Sequence, residues 1–277
     1  MGLPRGGSSI FRSPPWWLRA FLLVNVVQDL GLGLSGLLLP AHFLLPLKGL
    51  TPLNARFVGS LYLGGGVVIL CAALMRRAVD TRIPLWSFFV ITVLVLGMTF
   101  AYWRDFTVGG VPKLWMLTYV VDPIVIPIMI VTLGLVRPAE PGRHRLTVLF
   151  LAQAVFLGGT GLALLIASDA VLAAWPWAIG RLLARVYAAF FLAFAVGALL
   201  AAYERRRQAV QAFLAGSLAL VVCTTTTTLL HLDRFSSGTT LAVWIGVHLV
   251  GLAAFGYGLV ISLRGHDSAP RLSATLP

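Results

Sequence analysis

Two aspartates, Asp29 and Asp122, stand inside long apolar runs, "FLLVNVVQDLGLGLSG" and "LTYVVDPIVIPIMIV". An aspartate at the centre of a membrane helix costs about 2.5–3.5 kcal/mol on insertion scales. Each Leu, Ile, Val or Phe returns about 0.3–0.6 kcal/mol, so both runs can enter a bilayer despite their acids. The cost still turns such acids toward the helix bundle, a partner or water. Asn25 lies four residues before Asp29 and shares its helix face, which Gly33 and Gly36 continue. Trp115, Thr118, Tyr119 and Asp122 form a second stripe at spacings of three and four. Pro123 lacks an N–H, which frees the carbonyl of Tyr119, and Pro127 does the same to that of Pro123. A carboxyl beside unpaired carbonyls is suited to a proton or a small cation, because broken backbone at membrane depth is tolerated where protein or a cavity satisfies it. Asp122, Tyr119, Asp29 and Asn25 are therefore candidate binding residues around a polar centre. The plainer alternative is a proline kink with Asp122 paired to a neighbouring helix or simply protonated.

Arg56 and Arg185 complete the candidate set. Each opens a helix after a loop rich in Pro or Trp. A guanidinium is disfavoured at a helix N-terminus, where the dipole is already positive, so its placement there twice points to a specific partner. Its planar fork suits carboxylates, phosphates and helix-end carbonyls, and Asp29, Asp122 and Asp169 are the acids in question. The five threonines Thr224–Thr228 are read as interhelical packing, with the lining of a polar cavity as the other reading. His248 lies well inside a helix, with no second histidine at matching depth for a haem. HExxH, paired CxxC, GxSxG and Walker patterns do not occur in the sequence. Cys71 and Cys223 fall in separate helices, away from any disulfide or zinc pattern. The reading needs no catalytic residue, metal or cofactor.

The elements that must carry these residues are membrane helices. The 277 residues are 59% hydrophobic and only 11% charged, with a mean hydropathy of +0.93; a soluble domain carries about 25% charged residues. Eight apolar runs of roughly twenty residues, each long enough to span the hydrocarbon core, lie near 17–40, 55–75, 83–103, 114–136, 146–167, 184–203, 210–230 and 241–263. Transmembrane strands would alternate, and these runs do not. The net charge of +12 is distributed as topology: assigning each Lys and Arg to the nearer helix end puts 14 on the side of the termini and 7 on the other. The positive-inside rule then predicts both termini in the cytoplasm of a cell-membrane protein, and the basic excess reads as contact with anionic lipid and not with nucleic acid. The N-terminal apolar run is long and holds Asn25, Gln28 and Asp29, so it reads as a retained first helix rather than a cleaved leader.

Sliding the chain along itself until Leu53 meets Leu182 exposes an internal match. Ala55 and Arg56 then fall on Ala184 and Arg185; Arg76 and Arg77 on Arg205 and Arg206; Phe106, Gly109 and Trp115 on Phe235, Gly238 and Trp244. This single offset predicts a duplication of a four-helix unit. An even helix number makes both copies enter from the same side, related by an axis along the membrane normal. The expected organisation is a loose tail at 1–15, a first repeat at 16–136, a polar linker at 137–145, a second repeat at 146–264 and a tail at 265–277. The acids are not repeated, since Asp122 falls on Gly251. The stretches "TPLNARFVGSLYLGGG" and "WPWAIGRLLARVYAAF" resemble patterns in uncharacterised bacterial membrane proteins of four-helix units, a resemblance that implies architecture alone.

The sequence thus predicts an all-α polytopic membrane protein of about eight helices. Its leading function is transport of a small solute or ion, proton-linked, through the first half. The alternative is a non-catalytic scaffold or accessory subunit, and a lipid-modifying or redox enzyme comes third. The partners implied are the lipid bilayer, a small solute, proton or cation, and another membrane protein or a second copy of the chain; nucleic acid is excluded.

Overall fold

A computed structural model describes residues 13–45, 47, 50–105 and 110–264, with side chains at all of these but 105 and 110–116. The tails at 1–12 and 265–277, Lys48, and the side chains of Lys113 and Trp115 lie outside the described residues. Every regular element described is a helix: α1 (Trp16–Leu38), α2 (Pro52–Ala73), α3 (Arg82–Ala101), α4 (Gly110–Thr132), α5 (Thr147–Ile166), α6 (Asp169–Ala174), α7 (Arg181–Ala202), α8 (Arg207–Leu229) and α9 (Gly238–Arg264). Among the described residues, seven helices are long and apolar enough to cross a membrane. The eighth apolar run is α4, a continuous helix through both Pro123 and Pro127. The chain is an all-α polytopic membrane protein. The short α6 is not foreseen from the sequence; Ala167 ends α5 in a left-handed turn with φ 48°, and Ser168 caps α6 by accepting from the N–H of Val171.

Small residues decide which helices touch, because in lipid the apolar surface gives no preference of its own. A Cβ on Gly59 would stand 2.7 Å from the backbone nitrogen of Leu37 and 2.8 Å from the carbonyl of Gly33, so α1 and α2 meet backbone to backbone. Gly64 and Gly216 do the same for α2 and α8: a Cβ on Gly216 would lie 2.8 Å from the Gly64 carbonyl oxygen. The principal pairings are α1 with α2, α3 with α4, α5 with α7 and α8 with α9, and across the middle α2 with α8 and α3 with α7. As a result α2 and α7 are buried along most of their length, while α5 and α9 face outward over most of theirs.

Element boundaries keep a constant spacing. The offset that carries Leu53 to Leu182 also carries both ends of α2 onto both ends of α7, and the 3-10 turn Trp103–Asp105 onto the 3-10 turn Leu232–Arg234. At the linker end, Pro141 pairs with Glu204 in an isolated antiparallel bridge. The Gly142 N–H donates to Tyr203 and the Arg205 N–H to Glu140, both at 3.0 Å.

Candidate functional site

Close packing of α1 on α2 brings Asp29 inside. A Cβ on Gly66 would lie 3.2 Å from that of Asp29, so the backbone of α2 passes directly over the acid. The Asp29 side chain lines a cavity of about 40 Å³ together with Tyr62, Ser87, Phe88, Tyr119 and Phe194. The hydroxyls of Tyr62 and Tyr119 are hydrogen-bonded at 2.8 Å and tie α2 to α4. One turn beyond Tyr119, Asp122 is 3% exposed and its Oδ2 has no hydrogen-bond partner among the described residues. Asp29, Tyr119 and Asp122 lie within electrostatic reach of one another. Among the described residues neither aspartate has a basic side chain at ion-pair distance. Beside them the Thr118 hydroxyl donates to Gln28 Oε1 at 2.7 Å, a second clasp between α4 and α1. Asn25 is buried one turn from Asp29 but donates to the carbonyl of Phe21 in its own helix at 3.0 Å.

The two arginines sit elsewhere, at the end of the bundle away from the linker. Arg56 Nε donates to the carbonyl of Leu37 at 3.2 Å, near the end of α1, and its Nη1 lies 2.6 Å from Nε2 of His231 beyond α8. Arg185 Nε donates to the carbonyl of Leu165 at 3.0 Å, near the end of α5, and its guanidinium lies 5.1 Å from the centroid of Tyr102 beyond α3. His231 follows Tyr102 by the same offset as Arg185 follows Arg56. Each arginine therefore closes the preceding helix of its own half and reaches the third long helix of the other. Burial, and then the charge of Arg56, hold the His231 imidazole below its usual range. Asp169 pairs with Arg181 at 2.8 Å on the exposed surface. The polar centre thus brings together Asp29, Tyr119 and Asp122, and adds Tyr62, Gln28 and Ser87; Arg56 and Arg185 do not join it.

No protein-family model matches the chain, and no curated protein or solved structure proves similar to it. Function must be read from the geometry.

The second half holds a cavity of about 90 Å³ lined by Phe191, Leu220 and His248. The same offset that carries Leu53 to Leu182 relates these three to Tyr62, Ile91 and Tyr119, which line the cavity of the first half. The walls of the second cavity mix aromatic and aliphatic side chains with two threonines and carry no acid among the described residues. The threonine run is largely occupied with its own helix: Thr224, Thr225, Thr226 and Thr228 each donate to the carbonyl four residues earlier, and Thr227 meets Ser60 of α2 at 3.0 Å.

A second set of buried charges lies at the linker end. Arg206 grips Asp80 through Nε and, at 3.2 Å, through Nη2, and its Nη1 reaches Glu140 at 3.0 Å. The backbone N–H of Arg206 donates to Glu204 at 3.3 Å, and Arg82 approaches the other oxygen of Glu204 at 4.0 Å. Burial pushes the Glu204 carboxyl above its usual range, only partly opposed by the Arg206 N–H and the charges of Arg82 and Arg206. The bond to Asp80 holds Arg206 above its own. In the sequence these acids sit among arginines, in "RRAVDTR" and "AAYERRR", where the surplus of positive charge disguises them. Among the described residues no three His, Cys, Asp or Glu side chains stand where they could hold a metal ion.

Proposed function

We propose that this integral membrane protein moves a small solute or ion in step with a proton, and that Asp29 and Asp122 carry the proton. The observation behind this reading is the pair itself. Two carboxyls within electrostatic reach, buried at membrane depth and with no basic partner among the described residues, cannot both hold a charge at low cost. One proton shared between them removes the conflict. The Tyr62–Tyr119 hydroxyl pair gives that proton neighbours that can both donate and accept. A proton suits the site better than a metal cation, which would require six or more oxygens in the case of calcium, or near-ideal octahedral geometry in that of magnesium. The constant spacing of element boundaries and the crossed arginine clasps support a duplicated four-helix architecture, in which the first copy keeps the acids and the second supplies the frame. The arginine distribution supports cytoplasmic termini.

The test has two parts. Infrared difference spectra across a pH titration in nanodiscs should show a protonated-carboxyl band that Asp122→Asn and Asp29→Asn each shift, because the proton then rests on a single carboxyl. Vesicles loaded with a pH-sensitive dye should acidify under an imposed potential at least tenfold faster with the native protein than with Asp122→Asn. Arg181→Gln, which breaks only an exposed pair, serves as the control and should match the native protein. Native spectra and fluxes from both aspartate variants would remove the proton role.

A further inference from the structure

The aromatic cavity of the second half has features of a ligand site that the polar centre does not explain. It lies between α5, α8 and α9, with Trp175 and Phe57 closing it. Phe156 and Val247, at its edge, are exposed on the outward faces of α5 and α9, the faces that meet lipid in a membrane protein. Among the described residues that line it none is acidic, lysine or arginine. Access on that side is from the bilayer, and with no charged side chain there to pair with it, a charged occupant would go uncompensated.

The polar groups define it further. Three other indoles hand their N–H to an acceptor: Trp177 to Asn54 Oδ1 at 2.8 Å, Trp244 to Thr228 Oγ1 at 2.9 Å and Trp86 to the Leu135 carbonyl at 3.3 Å. Trp175 differs. It is 8% exposed, and its buried Nε1 meets no acceptor among the described residues. A buried donor left unsatisfied costs about 1–3 kcal/mol. It gains most from a ligand that brings an acceptor and no charge. His248, also in the lining, is already committed: its Nδ1–H donates to the Trp244 carbonyl at 2.8 Å, and its Nε2 lies 3.0 Å from the Thr224 hydroxyl. The remaining lining mixes aromatic side chains, among them Phe57, Phe191 and Trp244, with aliphatic ones such as Leu157, Leu220 and Val221, a surface that suits a flat apolar ring.

We propose that this cavity is a lateral binding site, entered from the lipid between α5 and α9, for a neutral lipid-soluble molecule with a small flat head and a carbonyl-type acceptor that takes the Trp175 N–H. The cavity volume of about 90 Å³ is smaller than the engineered cavity of about 150 Å³ that binds benzene, so it takes the acceptor and the adjoining edge of the ring, and the rest of the molecule lies toward its open side between α5 and α9.

The probes are 4-fluoroacetophenone, which carries the acceptor, and 4-fluoroethylbenzene, which matches its shape without one. Their fluorine NMR line widths are followed in nanodiscs with and without the native protein. The ketone should broaden saturably beyond its partitioning into empty nanodiscs and bind about fivefold more tightly than the alkylbenzene. Trp175→Phe keeps the ring and removes the donor, and should abolish that preference. Thr160→Trp, at the cavity wall, should abolish saturable binding of both probes while leaving the thermal transition close to native. Ketone broadening no greater than in empty nanodiscs, or an unchanged ketone preference in Trp175→Phe, overturns the site. Asp122→Asn should leave probe binding untouched, so the result stands apart from the proton reading.

Discussion

Arg206 should be the costliest arginine in the protein to remove. Its guanidinium is nearly fully buried and holds Asp80, which is 1% exposed, through two nitrogens, with Glu140 on a third. Losing one partner of a buried ion pair costs about 3–5 kcal/mol, because the other is left charged in a poor solvent. Arg206→Leu belongs at the top of that range. It strands Asp80 and also weakens the field around Glu204, whose other cation, Arg82, is no closer than 4.0 Å. Asp80→Leu belongs at the bottom, because Arg206 keeps the half-exposed Glu140. The double variant should recover part of the loss, since exchanging a whole buried pair for packed apolar side chains is often neutral. For a chain of this size about 1 kcal/mol moves the midpoint by roughly 2–4 °C. Arg206→Leu should therefore melt at least about 10 °C below the native protein in nanodiscs, by intrinsic fluorescence or by size exclusion after heating. A drop of under about 3 °C, or a double variant less stable than Arg206→Leu alone, would refute the reasoning.

Glu204 should make stability fall as pH rises. Burial raises its folded-state value above the unfolded one, so its contribution is complete below about pH 4.3 and is lost as pH climbs through the raised value. Glu204→Gln should match the native protein at the acid end and exceed it at neutral pH, and parallel melting curves across that window would contradict the assignment. Gly59→Ala should cost about 1–3 kcal/mol by overpacking, because the new methyl meets the backbone of α1 on every side, whereas Gly65→Ala, with nothing within 4 Å of its Cβ, should be close to neutral. Chemical denaturation of the two variants side by side decides this.

The helices were legible because a membrane allows few alternatives. A run of twenty apolar residues in lipid must satisfy its backbone internally, and a helix does so. Asp29 and Asp122 were legible for the same reason, as acids standing out against such runs. Tyr62 was not, because in "SLYLGGG" it passes for one more apolar residue, and only the fold sets its hydroxyl against Tyr119. Asp80 and Glu204 were hidden by the arginines beside them, whose charge reads as topology until tertiary structure buries the pairs. The constant offset links Arg56 with Arg185, but it gives no hint that each would reach across to the other half, at His231 and Tyr102. Nor does any local signal separate Trp175, whose N–H is left over, from Trp177, whose N–H is taken.

Those crossed arginines have a mechanical consequence. At one end the halves are joined by an arginine against a histidine and an arginine against a tyrosine face, both partly open to water. At the other end they are joined by a buried ion pair braced by the linker. The first two contacts can part at little cost, but beside them Trp177 and Tyr187 both donate to the buried Asn54 of the other half, at 2.8 and 3.0 Å. Each end of the seam is thus held by buried polar groups, neutral ones at the arginine end and ionised ones at the linker end, so only the linker end depends on charge for its hold.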